Sequence, residues 1–105
     1  MGLKIEQIAG GDGTRIAVRG EVDLYTSPDL RSALMKAVPA AESRVEVDLS
    51  GVEYMDSSGV ATLVEGFKSA RENSKAFVLF KPSTAVMKVL ELARLDSVFD
   101  IETAP

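Results

Sequence analysis

Apolar and polar residues alternate at the start of this chain, then recur at helical spacing, and the two periods keep exchanging to its end. Leu3, Ile5 and Ile8, set among Lys4, Glu6 and Gln7, predict a short strand whose alternation breaks at Gln7. Gly10-Gly11-Asp12-Gly13 predicts a turn, because glycine accepts positive φ and aspartate bonds its own backbone. Ile16 and Val18 share one face of a second strand over Thr14 to Arg19. The first two strands are therefore expected to form an antiparallel hairpin. Gly20 to Tyr25 leads out of it. Ser27 is the expected cap of a first helix, with Pro28 at its first position and Asp29 in its first turn, where the dipole favours an acid. Leu30, Ala33, Leu34, Ala37 and Val38 form its apolar face, and Pro39 is expected to end it.

Arg44 to Leu49 alternates strictly and predicts a strand, followed by a loop from Gly51 to Asp56. Val60, Leu63, Val64 and Phe67 predict a second helix over Ser57 to Glu72. Ala76 to Phe80 is an unbroken apolar run, the pattern of a strand covered on both faces. Pro82-Ser83 opens a third helix with Val86, Val89, Leu90 and Ala93 on its buried side. Ser97 to Ile101 predicts a last short strand, and the tail from Glu102 to Pro105 is expected to fray. The order is ββαβαβαβ. It implies an α/β fold: a mixed, mostly parallel sheet of about five strands, entered by a hairpin and joined by right-handed crossovers.

Composition narrows the chemistry. A chain of 105 residues is of ordinary domain size, so residues 1–105 are expected to form one domain. The net charge is −4 and no basic stripe is visible, which argues against a nucleic-acid partner. Cysteine and histidine are both absent, which removes disulfides, thiolate nucleophiles, the commonest metal ligand and the commonest general base. A reducing cytoplasm fits this usage. No stretch approaches the roughly 20 apolar residues of a membrane span, and residues 1–8 lack the apolar run of a signal peptide. No metal or cofactor is expected. Glu21, Asp23, Asp48, Glu53 and Asp56 lack the ligand spacing of a calcium loop, and Asp48 is expected to face solvent. The glycines at 10–13 precede a strand and lack a Gly-Lys-Ser/Thr ending, so they do not make a phosphate loop.

The segment that carries most information is Met55-Asp56-Ser57-Ser58-Gly59. It follows the carboxyl end of a strand, where sites collect in open α/β sheets. Asp56 is the expected helix cap, which puts Ser57 and Ser58 in a first turn whose free N–H groups favour an anion. On local grounds alone the segment reads as a cap, since Asp, Ser and Gly are common at helix starts. A hydrolase nucleophile is excluded by the lack of a base. Met55 is expected to be a buried anchor for the loop.

Three blocks widen the context: Gly20-Glu21-Val22-Asp23 running into Tyr25-Thr26-Ser27-Pro28-Asp29-Leu30; Val47-Asp48-Leu49-Ser50-Gly51-Val52 followed by Met55 to Gly59; and Pro82-Ser83 with Val86, Leu90, Leu95, Phe99 and Ile101. In order and spacing they resemble the STAS-domain family, specifically its bacterial anti-sigma factor antagonists. The resemblance implies that Ser57 is phosphorylated by an anti-sigma factor that is itself a serine kinase. It implies that the unphosphorylated form binds that kinase and frees a sigma factor, that phosphorylation abolishes binding, and that a PP2C-like phosphatase restores it. Asp23 then lies in the partner surface. Thr26 is expected near the same rim, with Asp56 shaping the charge, Ser58 assisting the cap or serving as a secondary site, and Gly59 leaving room for a partner's backbone.

Two departures stand out. Many relatives carry Gly-Leu after the third helix, where this chain has Arg94-Leu95, which leaves the geometry of that helix end open. Val60-Ala61 replaces the commoner Leu-Gly. Two other readings remain at this stage: a STAS subunit of an ABC-type lipid transporter that binds its ATPase, and a scaffold in a signalling assembly without phosphorylation.

Overall fold

The computed structural model describes residues 2–10 and 13–103. The chain runs β1 (Leu3–Gly10), β2 (Gly13–Val22), α1 (Ser27–Ala40), β3 (Arg44–Met55), α2 (Ser57–Glu72), β4 (Ala76–Phe80), α3 (Thr84–Leu92) and β5 (Asp100–Glu102). The strands form one five-stranded sheet in the order β1-β2-β3-β4-β5. β1 is antiparallel to β2 and every later pair is parallel. The fold class, the mixed sheet and the N-terminal hairpin are as the sequence pattern implies. Gly11 and Asp12 of the predicted turn lie outside the described residues, as do Ala104 and Pro105 of the tail. The strands flanking the turn stay paired out to Gly10 and Gly13.

Each strand lies beside its predecessor, always stepping the same way. Right-handed crossovers that step one way place all the helices on one face. The buried side chains agree: Val18, Val47 and Leu79 of the sheet join Leu34, Leu63 and Leu90 of the three helices in a single core cluster. At its far edge Phe99 meets the Phe67 ring edge-to-face at 5.6 Å.

The other face of the sheet carries charge. Arg15 bonds Glu46 at 2.7 Å, and Arg44 bridges Glu46 and Glu102 at 2.8 Å each. The Arg15 guanidinium lies 4.2 Å from the centre of the Phe80 ring. Burial pushes the Glu46 carboxyl up, but Arg15 and Arg44 outweigh it and hold it below its ordinary range. Ala76–Phe80 is covered on both faces, as expected, with Phe77, Val78 and Leu79 all buried. Val78, in register with Glu46, is buried on a face covered by charged side chains instead of helices.

Several boundaries also differ. β3 does not stop at Leu49 but continues to Met55, with its register against β2 shifting between Ala17 and Arg19 and again between Gly20 and Glu21. Each shift inserts one extra residue in β3, so the apparent loop is a twice-bulged strand. Asp48, expected to be merely solvent-facing, accepts from the Ser50 N–H at 3.0 Å and its hydroxyl at 2.7 Å beside the first bulge. Helix α1 runs through Pro39 to Ala40, because Val38 and Ala41 on either side are held in the core. Its end is also tied by Lys75, whose ammonium donates to the carbonyls of Ala41 and Glu42. Pro82-Ser83 precedes α3 as expected, and Ser83 caps it by accepting from the Val86 N–H. Ala93, expected on the buried side of α3, is exposed just past its end. The last strand begins only at Asp100.

The Arg94-Leu95 departure is resolved. Arg94 takes the left-handed conformation with φ of 59°. Its N–H reaches the Glu91 carbonyl at 3.0 Å and the Leu95 N–H reaches Leu90 at 2.9 Å, closing a Schellman motif without glycine. A non-glycine residue there carries about 1–2 kcal/mol of strain, against the roughly 0.5–1 kcal/mol of chain entropy that glycine adds. Arg94→Gly is therefore expected to stabilise the fold by about 0.5–1 kcal/mol, raising the thermal midpoint by a few degrees in a circular-dichroism melt. An unchanged or lower midpoint would show that the strain is not there.

Candidate functional site

β2 and β3 end side by side, Val22 opposite Met55. The Asp56 N–H then crosses to the Val22 carbonyl at 3.1 Å. This bond sets the start of α2 beside the loop that leads into α1. Met55 is buried, as expected of an anchor.

Asp56 is the cap of α2. Its carboxylate accepts from the Ser58 N–H at 2.9 Å and the Ser58 hydroxyl at 2.5 Å. The Ser58 hydroxyl holds the Asp56 carboxyl below its ordinary range; burial opposes this, and the N–H groups of Ser58 and Gly59 add to it. Ser58 is half-buried and committed to the cap. Its carbonyl also accepts from the buried Thr62 hydroxyl at 2.9 Å. Ser57 is exposed, and its hydroxyl has no partner among the described residues. The two serines are thus unlike: one is structural, the other is presented to solvent at a helix end that tolerates negative charge.

Gly59 is buried. A Cβ there would stand 2.6 Å from Met55 Cγ and 2.8 Å from Val22 Cγ1. The space it leaves faces the core, so packing between α2 and the two strand ends accounts for the glycine. The expectation that it makes room for a partner's backbone is corrected to that extent.

The neighbouring loop is closed by its own polar groups. The Asp23 carboxylate accepts from the N–H groups of Tyr25 at 2.9 Å and Thr26 at 3.0 Å. The Thr26 hydroxyl accepts from the Asp23 N–H at 2.9 Å and donates to the Glu21 carbonyl at 2.8 Å. Ser27, the expected cap of α1, is instead its first residue and is buried. Thr26 stands at the cap without a side-chain cap bond. Asp23 and Thr26 therefore lie at the same end of the sheet as Asp56, Ser57 and Ser58. Sequence reasoning missed three residues here. Leu24, Tyr25 and Tyr54 are large, apolar and exposed. The available signal was that Leu24 and Tyr25 fall outside both periods, on the turn between β2 and α1, and that Tyr54 sits at the last exposed position of β3.

Among the described residues here no histidine or cysteine stands beside the serines. What it offers is the free Ser57 hydroxyl, a carboxylate fixed by its cap bonds, and two short polar segments tied at adjacent strand ends.

A family model for the Mlab-type STAS domain matches residues 6–101. The chain belongs to the STAS-domain family. It is 34% identical over 91 residues to the anti-sigma-B factor antagonist of Listeria monocytogenes, covering 87% of this chain and 80% of that relative. Among solved structures, an anti-sigma factor antagonist from Mycobacterium paratuberculosis superposes with a TM-score of 0.87 at 22% identity, over 97% of this chain and 86% of the other. The antagonist SpoIIAA in its unphosphorylated form matches with a TM-score of 0.78 at 20% identity, over 95% and 89%. The phosphorylated form of the Bacillus cell fate determinant SpoIIAA matches with 0.69 at 19%, over 95% and 92%. At these identities the structural likeness speaks for the fold.

Two outcomes follow from the junction. Asp56→Ala is expected to cost about 1 kcal/mol through loss of the cap. Because the folded carboxyl titrates below its unfolded value, that contribution is complete above about pH 4 and is lost as pH falls through the lower folded value. The stability gap between wild type and variant, read from urea melts, should close in acid; a gap that widens there would contradict it. Gly59→Ala should cost about 1–3 kcal/mol, because Val22 and Met55 must move apart. A variant as stable as wild type would mean that α2 does not sit that close.

Proposed function

We propose that this STAS domain is an anti-sigma factor antagonist switched by phosphorylation of Ser57. The observation that carries the reading is the contrast between the two serines: Ser58 is bound into the Asp56 cap, while Ser57 offers a free hydroxyl at the same helix start. The naming of curated relatives as anti-sigma-B factor antagonists supports the role. On this reading the unphosphorylated domain binds an anti-sigma factor that is a serine kinase and so frees a sigma factor. The domain is the substrate of the chemistry and performs none itself. Asp23 and Thr26 form one side of the docking rim, Asp56 and Ser58 the other, and Gly59 holds α2 against the strand ends between them. A PP2C-like phosphatase removes the phosphate.

A phosphoryl group adds about −1.5 to −2 charges beside the Asp56 carboxylate. That charge is tolerated on the free domain and opposed once a partner excludes water. Incubation with the kinase and ATP should add one phosphate, located on Ser57 by mass spectrometry, in wild type and in Ser58→Ala but not in Ser57→Ala. The phosphorylated form should bind the kinase on the order of tenfold or more weakly. Label confined to Ser58 would overturn the site. Equal affinity of the two forms would overturn the switch.

A further inference from the structure

Large apolar residues that are exposed are few among the described residues, and three of them lie at the end of the sheet that holds Ser57. Tyr25 is 87% exposed, Leu24 69% and Tyr54 50%. None of them is needed by the core: Val22 and Met55, beside them in sequence, fill that end of it. An extended chain covers at most about 3.6 Å per residue, so Tyr54 lies within about 11 Å of Ser57, and Leu24 and Tyr25 within about 7 and 11 Å of Val22. The Val22 carbonyl takes the Asp56 N–H at 3.1 Å. The backbones of the three residues and of Ser57 therefore fall within the span of one standard half-interface of about 800 Å², a disc of roughly 16 Å radius.

Most of the charged residues between and around them are acidic: Glu21 in register with Tyr54, Asp23 before Leu24, Glu53 before Tyr54, and Asp56; Arg19, exposed on β2 two residues before Glu21, stands at the margin. Arg31, on the first turns of α1, is taken up by Glu65 at 2.8 Å. An apolar centre with an acidic surround fits a partner of opposite character. It does not fit a second copy of this chain, which would bring acid against acid. Tyrosine in such a setting is a common anchor, since it buries a large ring while keeping its hydroxyl wet.

We propose that Leu24, Tyr25 and Tyr54 are the apolar anchors with which this domain seats the kinase that modifies Ser57, and that the kinase receives them in an apolar pocket rimmed by lysine and arginine. This rests on the Ser57 reading above. Seating Ser57 among these side chains also removes water from around its hydroxyl, which is where an added phosphate would be felt most.

The test uses the full chain and the purified anti-sigma factor kinase. Tyr25→Ala should weaken binding on the order of tenfold or more, with smaller losses for Leu24→Ala and Tyr54→Ala. Thermal midpoints should stay at the wild-type value, because the side chains are exposed. Leu92→Ala, equally exposed at the far end of α3, should bind as wild type does. Raising salt from about 0.05 to about 0.5 M should slow association, as charge complementarity requires. If Ser57 is labelled while all three variants bind at wild-type strength, the anchors are wrong and the phosphorylation reading stands. If Tyr25→Ala loses binding but Ser57 is never labelled, the anchors stand and that reading falls. If wild type does not bind the kinase, both are overturned.

Discussion

β2 and β3 stop at the same level of the sheet, and one backbone bond, Asp56 N–H to the Val22 carbonyl at 3.1 Å, fastens the two exits together. Around it Met55, Val22 and Gly59 pack closely enough that a single added methyl group would collide. The rim that carries Ser57 is therefore built on two strand ends and a helix start that cannot move independently. The polar closure of the Asp23–Thr26 loop and the Asp56–Ser58 cap are the outward sides of the same construction. A surface made this way is rigid before a partner arrives, so little ordering entropy remains to be lost on docking.

The one-way strand order has a second consequence. With all three helices on one face, a parallel sheet that usually has two covers has one. Arg15, Arg44, Glu46 and Glu102 take the place of the missing layer. Exposed ion pairs contribute little each, about 0–1 kcal/mol, so stability is not their main use. Their long stems cover Val78 and Phe80 while their heads keep the face hydrated. Charge along an open face also discourages pairing with other sheets. The outer face is thus kept unsuitable for apolar docking, and the exposed apolar side chains at the sheet's end stand out against it.

Much of this was legible in the sequence where the period was strong and the punctuation local. α2 and β4 fall where the periodicity puts them, and Ser83 and Asp56 cap as their type and place imply. The misreadings share a cause: tertiary packing overrode a local signal. Gly51 suggested a loop, yet β2 holds that stretch as a bulged strand. Pro39 suggested a stop, yet the burial of Val38 and Ala41 carries α1 past it. The apolar run of β4 rightly implied two covers but could not show that charged side chains make the second; the Arg15–Phe80 stacking that helps supply it joins residues far apart in the chain. At the site, the contrast between Ser57 and Ser58 was invisible in sequence, since both are serines in one turn and only the direction of each hydroxyl separates them. Gly59 was singled out correctly as a glycine with a purpose, but the side it faces could only come from the packing.

Magnitudes suggest why a phosphate on Ser57 would act on docking and leave the fold alone. Beside Asp56, at roughly 6 Å in water, each added charge is opposed by about 0.7 kcal/mol. The start of α2 returns about 0.3–1 kcal/mol to an anion placed there. For the roughly −1.5 to −2 charges of a phosphoryl group the repulsion sums to about 1.0–1.4 kcal/mol, so the helix start offsets part of it and the net cost to the free domain stays at or below about 1 kcal/mol. Under a docked partner the effective dielectric falls several-fold, and the same repulsion grows in proportion. The dianion must also give up hydration that the helix start replaces only in part, because the Ser58 N–H is already held by Asp56. On the proposed reading, a covalent change of one group would then cost folding little and binding more, the difference arising from how much water the neighbouring tyrosines and leucine would exclude once covered.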